Sequence, residues 1–356
     1  MVPIPAAILT GYLGAGKTSL LNSMINDPLL ADACFIINEF GDVSIDHLLV
    51  ETSDEAVVEM SSGCLCCTIR GDLIDTIEDL LARRDRGEIK AFDRIVVETT
   101  GLADPAPLIH VFMQAPQLVS RIQLQGVITV VDAVNGEATF DAHAEAVKQV
   151  AVADRIVITK LDLLEGKEGE DKMFSIIARL RKLAPSARML STHRGEATAA
   201  RLFNMGLYDP LTKSIDVNAW LAAEAVARSE HHHHHDVSRH GDSIRAFTLT
   251  DARAISPQGL DLFIALLTSY HGPKLLRVKG LILVDDDPSR PVVIHGVQHV
   301  FHPPVRLAGW PDGQRESRLV VIVDGIEKHA IEELFRAFTD ELTGAGATHS
   351  DKTLAL

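Results

Sequence analysis

The residues Gly11-Tyr-Leu-Gly-Ala-Gly-Lys-Thr18 have the G-x-x-x-x-G-K-[ST] spacing of a phosphate-binding loop. An apolar run, Ile4-Pro-Ala-Ala-Ile-Leu9, precedes them and reads as a short buried strand. Ser19-Leu-Leu-Asn-Ser-Met-Ile25 follows and reads as the opening turns of a helix, so the motif has the flanks it requires. Gly11, Gly14 and Gly16 let the backbone curl, so that successive N–H groups through Ala15, Gly16, Lys17, Thr18 and Ser19 point inward as an anion cradle at the positive end of a helix. Lys17 can then reach the β- and γ-phosphates, and the Thr18 hydroxyl can ligate Mg²⁺.

Two further motifs belong with this loop. Glu98-Thr-Thr-Gly101 follows a strand-like Arg94-Ile-Val-Val97, where a second acid on the magnesium side is expected. Glu98 can hold a magnesium-bound water, and the Gly101 N–H is placed to sense the γ-phosphate. Thr159-Lys-Leu-Asp162 follows Arg155-Ile-Val-Ile158. A lysine and aspartate so placed read guanine, because the Asp162 carboxylate accepts from the ring N–H and exocyclic amine, which adenine cannot match. Lys160 contributes its stem. Thr159 stands where Asn is usual, so one amide that would tie the loop and touch the base is missing. GTP is the expected nucleotide.

Gly63-Cys-Leu-Cys-Cys67 packs three of the chain's four cysteines into one short stretch. Neighbouring cysteines form only a strained disulfide, whereas Cys64, Cys66 and Cys67 as thiolates can ligate Zn²⁺ or a similar borderline ion, such as Co²⁺, with the fourth position for water, another side chain or a partner's ligand. Cys34 lies in an apolar run and reads as core. Asn38-Glu-Phe-Gly-Asp-Val-Ser-Ile-Asp46 stands where a mobile nucleotide-sensing segment is expected, with Glu39, Asp42 and Asp46 as candidate ligands. His231, His232, His233, His234 and His235 are an internal run able to capture borderline metal ions near neutral pH. His295 and His299, on one face of an expected strand, would be about 13 Å apart at ~3.3 Å per residue, too far to share an ion.

The elements that must position these groups alternate. Apolar, β-branched runs at residues 35–37, 94–97, 127–131, 155–158 and 188–190 read as strands, and residues 73–83, 141–150 and 172–183 have helical spacing. Such alternation predicts a mostly parallel α/β sheet with ligands at the C-terminal strand ends. Beyond the histidine run, strands are expected at 244–249, 275–284, 291–301, 305–310 and 319–323, and helices at 258–270 and 327–341. The expected organisation is a P-loop domain over residues 1–228, a histidine-rich linker over 229–243, a smaller α+β domain over 244–342 and a flexible tail from 343.

At 356 residues the chain exceeds what one core usually serves. A formal charge of −15, from 34 basic and 49 acidic side chains, argues against nucleic-acid and anionic-membrane partners. No apolar run approaches membrane-spanning length, the N-terminus reads as strand rather than leader peptide, and the cysteine pattern suits a reducing compartment. A cytoplasmic protein is expected.

Together, Gly11-Tyr-Leu-Gly-Ala-Gly-Lys-Thr-Ser-Leu-Leu-Asn22, Asn38-Glu-Phe-Gly41, Cys64-Leu-Cys-Cys67, Glu98-Thr-Thr-Gly-Leu-Ala-Asp-Pro105 and Lys160-x-Asp162 resemble the CobW-like metallochaperone GTPases, relatives of the hydrogenase and urease accessory GTPases. The resemblance spans nearly the whole chain. It implies GTP binding and hydrolysis, with delivery of zinc or cobalt through the cysteine loop to a client metalloprotein; the sequence leaves the oligomeric state open, a homo-oligomer included. No residue is evident to orient the attacking water, so slow intrinsic turnover, accelerated by a client, is expected. Cobalt handling in cobalamin synthesis, or a non-catalytic metal store built on the thiolates and histidines, are the rival readings.

Overall fold

The computed structural model describes residues 3–39, 57–61, 67–203 and 243–340. Its first half is built on seven strands: β1 (Ile4–Gly11), β2 (Ala33–Glu39), β3 (Val57–Ser61), β4 (Arg94–Glu98), β5 (Ile122–Asp132), β6 (Arg155–Thr159) and β7 (Arg188–Ser191). They pair in the order β3-β2-β4-β1-β5-β6-β7, all parallel. Alternate residues of β1 face opposite sides, as strand geometry demands. Ile4, Ala6 and Ile8 enter the core formed with α2 (Cys67–Asp85), α3 (Ala106–Gln114) and α4 (Pro116–Val119). Ala7 and Leu9 enter the opposite core, with α1 (Lys17–Met24) and, from beyond β7, α8 (Ala199–Phe203). A sheet covered on both faces explains why its strands read as apolar runs rather than alternating ones.

The chain winds one way from β1 to β4 and the other way to β5, so β1 is the point where the topology switches and a crevice opens at the strands' C-terminal ends. Leu9 lies level with Glu98. Ile37 also lies level with Glu98, Glu39 with Ser61 and Asp132 with Thr159. The motif-bearing loops therefore leave one edge at similar height.

Several expected elements take a different form. The helix expected at 141–150 is two: α5 (Gly136–Ala142) and α6 (Ala144–Ala151), separated by His143, whose backbone is extended (φ −134°, ψ 108°) and whose ring stacks on Tyr12 with centroids 4.5 Å apart. α7 (Gly166–Leu183) begins earlier than its expected core. The apolar helix α3 was not anticipated, because its Leu108, Ile109, Val111, Phe112 and Met113 are buried with no polar face to mark a period.

The second half is a six-stranded antiparallel sheet: β8 (Ile244–Asp251), β9 (Leu275–Ile282), β10 (Val292–Val297), β11 (Val300–Phe301), β12 (Val305–Arg306) and β13 (Ser317–Asp324). Helices α9 (Pro257–His271) and α10 (Lys328–Asp340) share its apolar core, where Phe263 meets Phe335 edge to face. Ser256 caps α9 by accepting from the Gly259 N–H, with Pro257 at the first helical position. The strand expected over 291–301 is instead a hairpin: Val297 pairs with Val300 across Gln298 (φ 53°) and His299. His295 and His299 are thus not on one strand; His295 is buried and His299 exposed. The strand expected over 305–310 is confined to Val305–Arg306.

The sheets meet through side chains. Ile244, Leu276 and Ile322 join the cluster of α5, α6 and α7, and Val297 and Val300 join that of α3. Among the described residues no helix is long and apolar enough to cross a membrane.

Candidate functional site

The phosphate loop keeps the shape its glycines permit. Gly11 has φ 144°, and a Cβ there would lie 2.4 Å from the Val130 carbonyl oxygen, so no other residue fits between β1 and β5. Gly16 caps α1 in the left-handed region at φ 96°. Lys17, buried at 9% exposure, donates from Nζ to the Gly11 carbonyl at 3.0 Å, which lays the ammonium across the loop. Thr18 Oγ1 donates to Glu98 Oε1 at 3.5 Å. A hydroxyl and a carboxylate side by side at the loop's rim are the hard oxygen donors that Mg²⁺ prefers, so the residues present fit that ion.

The loop after β4 is held against this cradle. The Thr99 N–H donates to the Leu9 carbonyl at 2.9 Å, and Thr99 Oγ1 donates to Thr10 Oγ1 at 2.8 Å, both threonines being buried. A Cβ at Gly101 would lie 2.6 Å from the Leu13 nitrogen, so the glycine rests directly on phosphate-loop backbone. Asp104 then receives the Ala106 N–H at 2.9 Å and starts α3.

The loop after β6 closes the far side. Thr159 Oγ1 approaches the Ala15 carbonyl at 2.7 Å and the Val131 carbonyl at 3.2 Å. A hydroxyl has one proton to give, and the shorter contact takes it. The tie between this loop and the phosphate loop, expected to be missing without an asparagine amide, is therefore made by a hydroxyl. Lys160, at φ 60°, stretches over the phosphate loop and donates to the Gly14 carbonyl and to Asp132 Oδ2, both at 2.8 Å. Asp162 is exposed in the turn Leu161–Leu163. Ser19 is exposed at the first turn of α1.

Asp132 is a hub that the motif reading missed. Its carboxylate accepts from the N–H groups of Val134 and Asn135, from Asn135 Nδ2 and from Lys160. Burial acts to raise its pKa, but the bonds from Lys160, Asn135 and the Val134 N–H outweigh it and hold the carboxyl below the usual range. An acid closing the apolar run Val127–Val131 was the available signal. Gln149, also missed, reaches this region from α6; a glutamine in an amphipathic helix carries no signal at all.

The thiolate and histidine predictions fall differently. Cys64, Cys66 and the run His231, His232, His233, His234 and His235 lie outside the described residues, as do Asp42 and Asp46. Glu39 ends β2 and Cys67 begins α2. Cys34 is buried in β2, and burial pushes its thiol up to about 11, so it stays protonated as a core residue. Among the described residues no group of three or more His, Cys, Asp or Glu side chains is arranged to hold a metal ion.

The family described as "CobW/HypB/UreG, nucleotide-binding domain" matches residues 5–189, and the "Cobalamin synthesis protein cobW C-terminal domain" matches residues 244–339. The zinc chaperone YjiA of Escherichia coli is 32% identical over 92% of this chain and 95% of its own length. The zinc-regulated GTPase metalloprotein activator 1 of Saccharomyces cerevisiae is 28% identical over 94% of this chain and 83% of its own. The crystal structure of zinc-bound YjiA GTPase from E. coli superposes with a TM-score of 0.67 at 26% identity, covering 95% of this chain and 99% of that one.

Proposed function

The chain belongs to the CobW/HypB/UreG family, and on that premise we propose that it is a GTPase whose nucleotide state controls a zinc site on the Gly63–Cys67 loop. It hydrolyses GTP, as a P-loop GTPase of this family. The metal is cargo, and a client metalloprotein receives it.

One observation carries the coupling. In the order β3-β2-β4-β1 the chain sets the start of the cysteine loop, Glu39, Glu98 and the phosphate loop on successive strands of one edge. Three steps of ~4.8 Å between neighbouring strands separate β3 from β1, about 14 Å in all. Residues 40–46 follow Glu39, two residues past the position level with Glu98, and the cysteine loop follows Ser61, level with Glu39, so a segment ordered by the γ-phosphate would leave the same edge as the one that borders the thiolates.

Within the GTPase site each residue has a task. Backbone N–H groups from Gly14 to Ser19 hold the phosphates, and Lys17 exchanges its bond to the Gly11 carbonyl for phosphate oxygens. Thr18 and Glu98 would hold Mg²⁺, whose chemistry there would be to neutralise charge on the phosphate oxygens. Asp162 accepts from guanine while the Lys160 stem lies along the ring. The Gly101 N–H meets the γ-phosphate and reports its loss, releasing the segment after Glu39 as an order–disorder switch.

The test is competitive Zn²⁺ and Co²⁺ affinity measured with GDP and with a non-hydrolysable GTP analogue, for wild type and Cys66→Ala. The expected result is a shift of about tenfold or more between nucleotides, ~1.4 kcal/mol of coupling, abolished in the variant. Affinity indifferent to nucleotide would replace the switch with a store. The preferred ion decides between zinc and cobalt service.

A further inference from the structure

The loop after β4 is gripped from behind by a residue outside every motif. Gln149 of α6 is 1% exposed, and its Nε2 donates to two carbonyls of that loop, Gly101 at 3.2 Å and Ala103 at 3.0 Å. Two carbonyl partners can be met only by the NH₂ end of the amide, so the orientation follows from the partners. The residue's own carbonyl is anchored in turn, accepting from buried Thr129 Oγ1 of β5 at 2.7 Å. Its Oε1 is buried and meets no hydrogen-bond partner among the described residues. The side chain borders a cavity of about 230 Å³ behind the phosphate loop, lined also by Tyr12, Ala15, Val131 and Asp132.

An unmatched buried acceptor is a cost that a leucine of similar volume would avoid. Packing therefore gives no reason for an amide here, while two donors aimed at adjacent carbonyls do. The two bonds bracket Leu102, and Gly101 lies against Leu13, where a Cβ would have no room.

We propose that Gln149 is a positioning residue that holds the Gly101 N–H at the γ-phosphate position and so sets preference for GTP over GDP. The inference rests on the reading of Gly101 as the γ-phosphate contact. Gln149 touches no nucleotide; it acts through the loop, and its effect belongs to states that contain a γ-phosphate.

The experiment compares Gln149→Leu, Gln149→Glu and Gly101→Ala in the full chain, measuring affinity for GDP and for a non-hydrolysable GTP analogue together with kcat and KM for GTP. Gln149→Leu is expected to lower analogue affinity and kcat about tenfold, the size of one or two lost hydrogen bonds, with GDP affinity within about twofold. Gln149→Glu is expected to be as impaired at pH 8, where a carboxylate faces two carbonyls. It should recover as pH falls, because the carboxylic acid can donate to one of them, a rescue that a packing role would not produce. Unchanged nucleotide preference in Gln149→Leu, or an equal loss for GDP and the analogue, overturns the proposal, and should that variant not fold, the pH response of Gln149→Glu decides alone. If Gly101→Ala leaves the preference intact, the Gly101 reading itself fails; if only Gly101→Ala alters it, the fault lies with Gln149.

Discussion

At the nucleotide edge, side chains speak mostly to main chain: Lys17 to the Gly11 carbonyl, Thr159 to Ala15, Lys160 to Gly14 and Gln149 to Gly101 and Ala103. At the junction between the two sheets, charge meets charge out of water. Asp154, just past α6, accepts from Arg277 at 2.5 Å and Lys279 at 2.6 Å, both of β9, and its other oxygen receives the Val127 N–H at 2.9 Å. Arg277 also donates to the Val152 carbonyl. Burial would raise Asp154, but the charges of Arg277 and Lys279 outweigh it and hold its carboxyl well below the usual range. Burial, helped by the charge of Arg277, pushes Lys279 down to about 8. His295 stacks on His302 beside this group, and burial, with Arg277, Lys279 and His302 adding to it against Asp154, holds its ring well below the ordinary histidine range. In the proposed function Lys17 is the group that exchanges partners, since an ammonium can trade the Gly11 carbonyl for a phosphate at little cost, while Thr159, Lys160 and Gln149 hold the surrounding loops to one another. The second region is built to stay put, because breaking it strands charges in the interior.

The sharpest way to break this comparison is Asp154→Ala. Removing one member of a buried ion group leaves Arg277 and Lys279 uncompensated, with an expected loss of about 4 kcal/mol in urea unfolding. A loss below about 1 kcal/mol would mean that the junction contributes little to holding the sheets together. Next is Lys17→Ala, expected to weaken GTP binding by about 100-fold, roughly 3 kcal/mol, while the unfolding midpoint barely moves. A comparable loss of stability would show the edge to be structural as well. Third is acidification. His295 stays neutral in the folded chain but takes up a proton on unfolding, so the unfolded state binds more protons as pH falls below the ordinary histidine pKa. Stability should therefore drop by about 1.4 kcal/mol per pH unit from that group, roughly 2 kcal/mol by pH 5, and His295→Gln should flatten the slope of stability against pH between 7 and 5. The smallest effect is expected from Thr159→Val, which leaves the Ala15 carbonyl without its donor: about 1 kcal/mol of GTP affinity, recovered in Thr159→Asn. Equal affinity in all three forms would show that the Thr159 tie does not support the loop.

The two regions also differ in how they could be read in advance. Gly11 to Thr18, Glu98, Gly101 and Lys160 to Asp162 are short motifs at strand ends, legible because the groups proposed to meet a phosphate or a base are neighbours in sequence as well as in space. The alternating apolar runs likewise determined a parallel α/β half followed by a strand-rich one, since a strand buried on both faces must be apolar throughout. Tertiary structure alone decided the rest. Asp154 with Arg277 and Lys279, and Gln149 with Gly101, join residues dozens to more than a hundred positions apart, and nothing local distinguishes them from solvated charges or an ordinary helix glutamine. Thr159 makes the same point in reverse: its type implied a missing tie, and only the approach of Ala15 within 2.7 Å made a hydroxyl sufficient. Local chemistry is written where the chain is continuous, whereas desolvation and contact between distant segments exist only once it has folded.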